Sequence, residues 1–245
     1  MTIENLPLAT GAFDPVGDLS PVACDYLKAI WNASEWDSAR VTTTSVARHL
    51  GVAASTASTA LRRLTDRGLI THERYGSVDL TDPGTAAAAR VVRRQRLLET
   101  YLVDELGYGW HEVHDDADLL AHAASDRLIE RIDQRLGQPV RDPHGDPIPS
   151  ASGAVAPATL VALATCSPGD RGVVGRIADS DPAMLQYLAE VGLIPDAVVT
   201  VRTRRAFAGT LSVAVQGRET EIVLGDVAAS AIWIDRTNDI DRPVE

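Results

Sequence analysis

Thr44-Ser45-Val46-Ala47-Arg48-His49-Leu50-Gly51-Val52 is the stretch whose reading decides the fold. It offers a hydroxyl cap at its start, Val46, Ala47 and Leu50 on one helical face, and Gly51 where the helix must stop. After a two-residue turn, Ala54–Arg67 reads as a second helix with Ala57, Ala60, Leu61 and Leu64 on its inner face, ended by Gly68. Leu69–His72 and Ser77–Thr81 then flank Tyr75-Gly76, which predicts a hairpin. Upstream, Val22, Tyr26, Leu27, Ile30 and Trp31 fall at helical spacing. Helix, glycine turn, helix and hairpin together predict a winged helix-turn-helix.

That reading places the second helix in a DNA major groove. Its outward side carries Ser55, Thr56, Ser58, Thr59, Arg62 and Arg63, with Thr44 on the helix before it and Arg74 and Tyr75 on the wing. Short hydroxyls at the helix start approach base edges and phosphates closely, and the arginines one turn on reach the backbone. The formal charge of −11 looks wrong for such a protein, but its distribution answers the objection. Between Arg40 and Arg96 ten arginines face four acids, whereas from Glu99 to Asp196 seventeen acids face six arginines. A basic front suits phosphate neutralisation and an acidic middle suits cation capture.

Composition divides the 245 residues into zones. Residues 1–18 read as a disordered lead-in without the basic start of a signal peptide, and 19–82 as the DNA-binding domain. Residues 83–148 read as a helical domain, 149–158 as a linker within a proline-rich stretch, and 159–235 as a small β domain before a tail at 236–245. In the β domain Gly172–Ile177, Val198–Arg204, Leu211–Val215 and Glu219–Leu224 alternate like strands, and Pro182–Val191 reads as a helix. Cys24 and Cys166 have no knuckle or redox spacing and read as buried small hydrophobes, which suits a reducing cytoplasm. No run of eighteen apolar residues is present, so no membrane span is expected.

Several strings, taken together, resemble the diphtheria-toxin-repressor family, and within it the manganese transport regulators. They are Asp25-Tyr-Leu-Lys-Ala-Ile-Trp31, the helix-turn-helix, Arg93-Arg-Gln-Arg-Leu-Leu-Glu-Thr-Tyr-Leu102, Val113-His-Asp-Asp-Ala-Asp118, His122-Ala-Ala-Ser-Asp-Arg-Leu128 and Asp142-Pro-His-Gly-Asp-Pro-Ile-Pro149. The resemblance implies a mainly α fold with a small β part: winged helix, helical metal-binding and dimerisation domain, and an SH3-like (FeoA-like) barrel. It also implies a metal-dependent repressor of metal homeostasis genes, binding palindromic operators as a homodimer. Manganese is the expected effector, with ferrous iron the alternative.

The residues carry part of that reading themselves. His114, Asp118 and His122 recur every four residues and make one helical stripe, although Asp115 and Asp116 beside them also fit an acidic first turn. Glu99 lies on the preceding helix and Asp25 on the first helix of the DNA-binding domain. Such residues brought together give mixed nitrogen and oxygen donors for a hard or borderline divalent ion. Carried over from the family, a primary site uses Asp25, Asp118 and His122, and a second uses Glu99 and His114. Oxygens at Asp25 and Asp118, where iron regulators have sulfur, favour manganese.

Two positions depart from the pattern: Ala121 where the family has a carboxylate, and Gln95 where it has a histidine. Water, or Asp179 or Asp181 from the β domain, is expected to fill a vacancy. The alternative is a winged-helix regulator that has lost its metal response or answers to another ligand. An enzyme is not expected, since HExxH, nucleophile-elbow, Walker and dinucleotide patterns are all missing from the sequence. An adaptor role would rest on Arg202, Arg204 and Arg205, which read as a solvated edge strand. Val91, Leu97, Leu98, Tyr101, Leu102 and Leu106 form an apolar face that suits intramolecular core or, less directly, a dimer contact.

Overall fold

The protein is described as a computed structural model covering residues 19–36, 40–72, 76–155 and 159–236. The expected lead-in, all of the tail except Arg236, and the wing residues Arg74 and Tyr75 lie outside the described residues. The chain forms two units: residues up to Val92 with Ala151–Gly153, and Arg93–Ser150 with the remainder from Ala154.

In the first unit α1 (Pro21–Trp36), α2 (Thr43–His49) and α3 (Ala54–Asp66) precede a hairpin of β1 (Ile70–His72) and β2 (Val78–Leu80). Leu27, Ile30, Val46, Ala57, Leu61, Leu64 and Ile70 are all buried, as their spacing requires. The cap of α2 sits earlier than Thr44. Thr42 accepts from the Ser45 amide at 3.2 Å, and the Ser45 hydroxyl accepts from the Thr42 amide at 2.8 Å, a reciprocal box that takes up two otherwise orphaned donors. Gly51, at φ 63°, turns the chain toward α3. The hairpin pairs Ile70 with Leu80 and His72 with Val78 in antiparallel register.

The second unit begins within α4 (Asp82–Leu106), at Arg93, and continues through α5 (His114–Ala123) and α6 (Asp126–Arg135). Leu97, Leu98 and Leu102 pack with Val113, Ala117, Ile129 and Ile132, so most of the apolar face of α4 is core, while Leu106 projects into solvent. Arg94 fastens α4 to the α5–α6 corner through the Ala121 and Ala124 carbonyls and Asp126.

The β domain contains β3 (Leu160–Ala162), β4 (Arg171–Ile177), α7 (Pro182–Glu190), β5 (Val198–Arg205), β6 (Thr210–Val215), β7 (Ile222–Gly225), α8 (Asp226–Ser230) and β8 (Ile232–Asp235). Strand order is β3-β8-β4-β5-β6-β7, antiparallel throughout. The alternating residues Val174, Val199, Val201, Leu211, Val213, Ile232 and Ile234 meet α7 in one core, which also takes in Cys166. Cys24 and Cys166 are both buried, and neither is in a disulfide. Three details differ from expectation. The fourth expected strand starts at Ile222 rather than Glu219, because a turn occupies the residues before it. Among the described residues the ladder does not close into a ring, and its ends are the three-residue β3 and four-residue β7, short enough to limit edge exposure. The arginine-bearing β5 is interior, paired on both sides, and not an edge.

The Asp142–Pro149 loop is stitched to both neighbours. The Ile177 amide of β4 donates to the His144 carbonyl at 2.9 Å, and Arg176 ion-pairs with Asp146. Gly145 has φ 89°, and a Cβ there would lie 2.1 Å from the Gly175 carbonyl oxygen. Gly145→Ala is therefore expected to cost about 3 kcal/mol or more, combining clash with left-handed strain. Gly137→Ala, at φ 75° with nothing within 4 Å, should cost only about 1 kcal/mol. Thermal unfolding of the pair checks this; equal losses would disprove the close approach.

Candidate metal centre and DNA-reading surface

Glu99 stands at the middle of the second unit's polar chemistry. It projects from α4, is 1% exposed, and belongs to two groups of donors. In the first, the His114 Nδ1 lies 3.2 Å from Glu99 Oε1 and 3.5 Å from Asp179 Oδ2. His114 opens α5, and Asp179 comes from the turn after β4, just ahead of α7. In the second, Glu99 meets Asp142 and His144 of the proline-flanked loop, with donor atoms within 4.8 Å of one another.

Local structure aims each of these groups. Asp142 Oδ1 accepts from the amides of His144 and Asp146 at 2.9 and 2.8 Å, which folds the loop back on its own side chain. Its Oδ2 lies 3.8 Å from the Arg96 guanidinium, which also donates to the Pro147 carbonyl. The His144 ring donates from Nε2 to the Trp110 carbonyl at 2.8 Å, which assigns its tautomer. Nδ1 is left as a buried lone pair with no hydrogen-bond partner among the described residues. Gln95 donates to Glu99 at 2.8 Å, and its buried Oε1 also lacks a partner. Buried acceptors left unsatisfied beside clustered carboxylates are costly without a cation, so the donor set fits a divalent metal.

Electrostatics point the same way. Hydrogen bonds to Asp179 and Glu99 push the His114 imidazole up to about 10. Burial, followed by the Glu99 charge, pushes Asp142 up to about 8 against the pull of Arg96. Asp146 rises through burial and the neighbouring Asp142. Burial works to raise Asp179 too, but the bond from His114 prevails and holds it below the carboxylate range. The protein thus holds protons where a cation would neutralise the same charges.

The other expected donors are placed as follows. Asp118 and His122 share one side of α5, with His122 Nε2 4.0 Å from Asp118 Oδ2. Ala121, where the family has a carboxylate, packs against the helical core. Asp25 is half-buried on α1 of the first unit. Of the two β-domain aspartates, Asp179 reaches His114, whereas Asp181 caps α7 by accepting from the Ala183 and Met184 amides. Asp142 and His144 carry no donor role in the sequence reading, although Asp-Pro-His-Gly-Asp-Pro-Ile-Pro was legible as a family string. A histidine and two aspartates between prolines are the signal that marks the loop.

On the DNA-reading side Ser55, Thr56, Thr59, Arg62 and Arg63 are exposed on α3 and Ser58 is half-buried. The Thr59 hydroxyl donates to the Ser55 carbonyl at 3.0 Å. Thr44 is exposed in the first turn of α2.

A winged helix and a buried donor cluster are the parts of a metal-dependent, DNA-binding transcriptional repressor. Comparison with known proteins gives the family. The profile of the iron-dependent repressor N-terminal DNA-binding domain matches residues 18–78, that of the iron-dependent repressor metal-binding and dimerisation domain residues 81–150, and that of the FeoA domain residues 161–236. A solved manganese-dependent transcriptional repressor in complex with manganese is 52% identical, with a TM-score of 0.83, over 86% of this chain and 98% of its own. The manganese regulator SloR is 27% identical with a TM-score of 0.74, over 89% of this chain and all of its own. The iron-dependent repressor IdeR of Mycobacterium leprae is 28% identical over 90% of this chain and all of that protein. The chain belongs to the diphtheria-toxin-repressor/IdeR family, with the family's DNA-binding, dimerisation and FeoA-like domains. Among the described residues no helix is long and apolar enough to cross a membrane.

Proposed function

We propose that this chain is a manganese-responsive repressor of metal homeostasis genes that acts in the cytoplasm, gripping palindromic operators as a homodimer. The observation that carries this reading is the Glu99 cluster, whose donors are carboxylates and imidazoles with no sulfur among them. Oxygen-rich donor sets favour manganese over softer ions, although cellular supply also selects. The 52% likeness to a manganese-dependent repressor supports the same choice over iron. One centre uses Glu99, His114, Asp142, His144 and Asp179. A second uses Asp118 and His122 with Asp25, the last carried over from the family pattern. A bound divalent cation supplies the positive charge that lets these carboxylates share one position.

The chain's own groups do the rest. Asp25 belongs to the DNA-reading domain and Asp118 and His122 to the dimerisation domain, so shared coordination favours one arrangement of the two reading domains over others. Held at one helical repeat, paired α3 helices match the half-sites of a palindrome. Thr44, Ser55, Thr56, Ser58 and Thr59 would meet bases and phosphates, with Arg62, Arg63, Arg74 and Tyr75 on the backbone.

Fluorescence anisotropy on the protein's own promoter DNA tests this, with chelator, manganese, ferrous iron or zinc at one salt concentration. Manganese should tighten binding tenfold or more, about 1.4 kcal/mol of coupling. Equally tight binding with chelator would retain the repressor and remove the metal switch.

A further inference from the structure

Within the second unit the end of α4, the chain leading into the Asp142–Pro149 loop and the turn between α7 and β5 enclose a hollow of about 550 Å³. Of the metal-centre residues it takes in Asp142 alone. Its walls are largely apolar and stiff. Val103 and Ile194 are aliphatic, and Pro139, Pro143 and Pro195 have φ fixed by their rings. The aromatic part comes from Tyr108 and Trp110. Tyr108 is hydrogen-bonded to Asp116, and the Trp110 ring lies 5.5 Å from that of His144, so the chain's own contacts set both rings. Asp196, at φ 71° after Pro195, completes a turn in which the Ala197 amide donates to the Ile194 carbonyl at 3.1 Å. That turn leaves Ile194 44% exposed.

Its charge is the informative part. Three carboxylates and one guanidinium belong to the lining. Asp196 is held by Arg141 at 2.6 Å, and Asp142 faces Arg96 at 3.8 Å. Asp104 is exposed and has no hydrogen bond or ion pair among the described residues, although Glu105 beside it is paired with Arg135 at 2.8 Å. It also stands in the last turn of α4, where no basic residue offsets the negative end of the helix dipole. An uncompensated carboxylate at a helix C-terminus favours a cation. A bare divalent ion fits poorly, because it takes about six oxygens or more and the walls here are mostly carbon. An ammonium on an apolar body uses all of the lining: the carboxylate, the aromatic pair through cation–π attraction, and the aliphatic side chains.

We propose that this hollow binds a small organic amine, its ammonium on Asp104 and its apolar body against Tyr108, Trp110 and Ile194. The volume lies in the range of small-molecule sites. The proposal is independent of the metal reading.

Calorimetric titration of the metal-free full-length protein at constant ionic strength tests it. The probes are phenethylamine, 3-phenylpropionate (a similar body with the opposite charge) and methylammonium (the charge without the body). Phenethylamine is expected to bind more tightly than either by about tenfold or more. Asp104→Asn should remove most of that margin, and Ile194→Arg, which brings a competing cation to the wall, should abolish amine binding. Both positions are exposed, and an unchanged melting temperature confirms the fold. Phenethylamine affinity unaltered by Asp104→Asn would overturn the site, as would no phenethylamine binding by the unsubstituted protein. Equally tight 3-phenylpropionate would overturn it too, in favour of an apolar crevice without charge preference.

Discussion

Raising the pH from about 6.5 to 7.5 is expected to tighten manganese binding at the Glu99 centre about a hundredfold. Coordination needs a neutral His114 and an ionised Asp142. In the metal-free protein the first is pushed up to about 10 and the second up to about 8, so both carry protons across this range. Each proton released contributes a tenfold change in affinity per pH unit. The metal-free fold responds in the opposite sense. Both groups have folded values above their unfolded ones. The stability contributed by His114 is full below about pH 6.5 and fades as pH rises toward 10, and that of Asp142 fades between about pH 4 and 8. Free-manganese titrations followed by electron paramagnetic resonance, in an Asp118→Ala, His122→Ala background, isolate this centre. An affinity flat across the range would show that these residues are not its ligands.

Glu99→Gln should remove most of the metal-induced stabilisation while leaving the metal-free fold intact. At a thousandfold excess over its dissociation constant a ligand stabilises the native state by about 4 kcal/mol. Glu99 belongs to both donor groups, and its loss should weaken binding at least a hundredfold, removing about 2.7 kcal/mol of that gain. For a chain of this length the manganese-induced rise in melting temperature then shrinks by roughly 5–10 °C. The substitution keeps volume and removes a charge facing buried Asp142, so the metal-free melting temperature should change little. An undiminished manganese shift in this variant would remove Glu99 from the site.

The sequence disclosed the fold unevenly, for physical reasons. Val46, Ala47 and Leu50, and Ala57, Leu61 and Leu64, repeat at helical spacing between glycines, so the helix-turn-helix was plain. Thr42 escaped notice as the cap because three threonines in a row offer the same hydroxyl. Only the box with Ser45 distinguishes it. Leu160–Ala162 and Ile232–Asp235 were missed as strands, being too short to display a period. At the centre, His114 and Glu99 stand on helices where spacing is informative, whereas Asp142 and His144 stand in a loop where it is not. Spacing alone does not separate Asp179 from Asp181, but Asp181 precedes Pro182, a cap followed by a first-turn proline, and that local rule assigns it to the helix start. The exposed position of Arg202 depends on a register shift that no alternation pattern reveals.

Asp179 reaches His114 from the β domain, while the Asp142–Pro149 loop touches that domain through the Ile177 amide and Arg176. Because one chain carries both sides, that carboxylate is offered at the effective concentration set by a short tether, of millimolar order. Supplied as a separate polypeptide at micromolar levels, the β domain would leave the cluster short of a donor for most of the time. On the proposed donor set, continuity of the backbone, as much as the identity of the ligands, therefore sets the metal concentration to which the repressor answers.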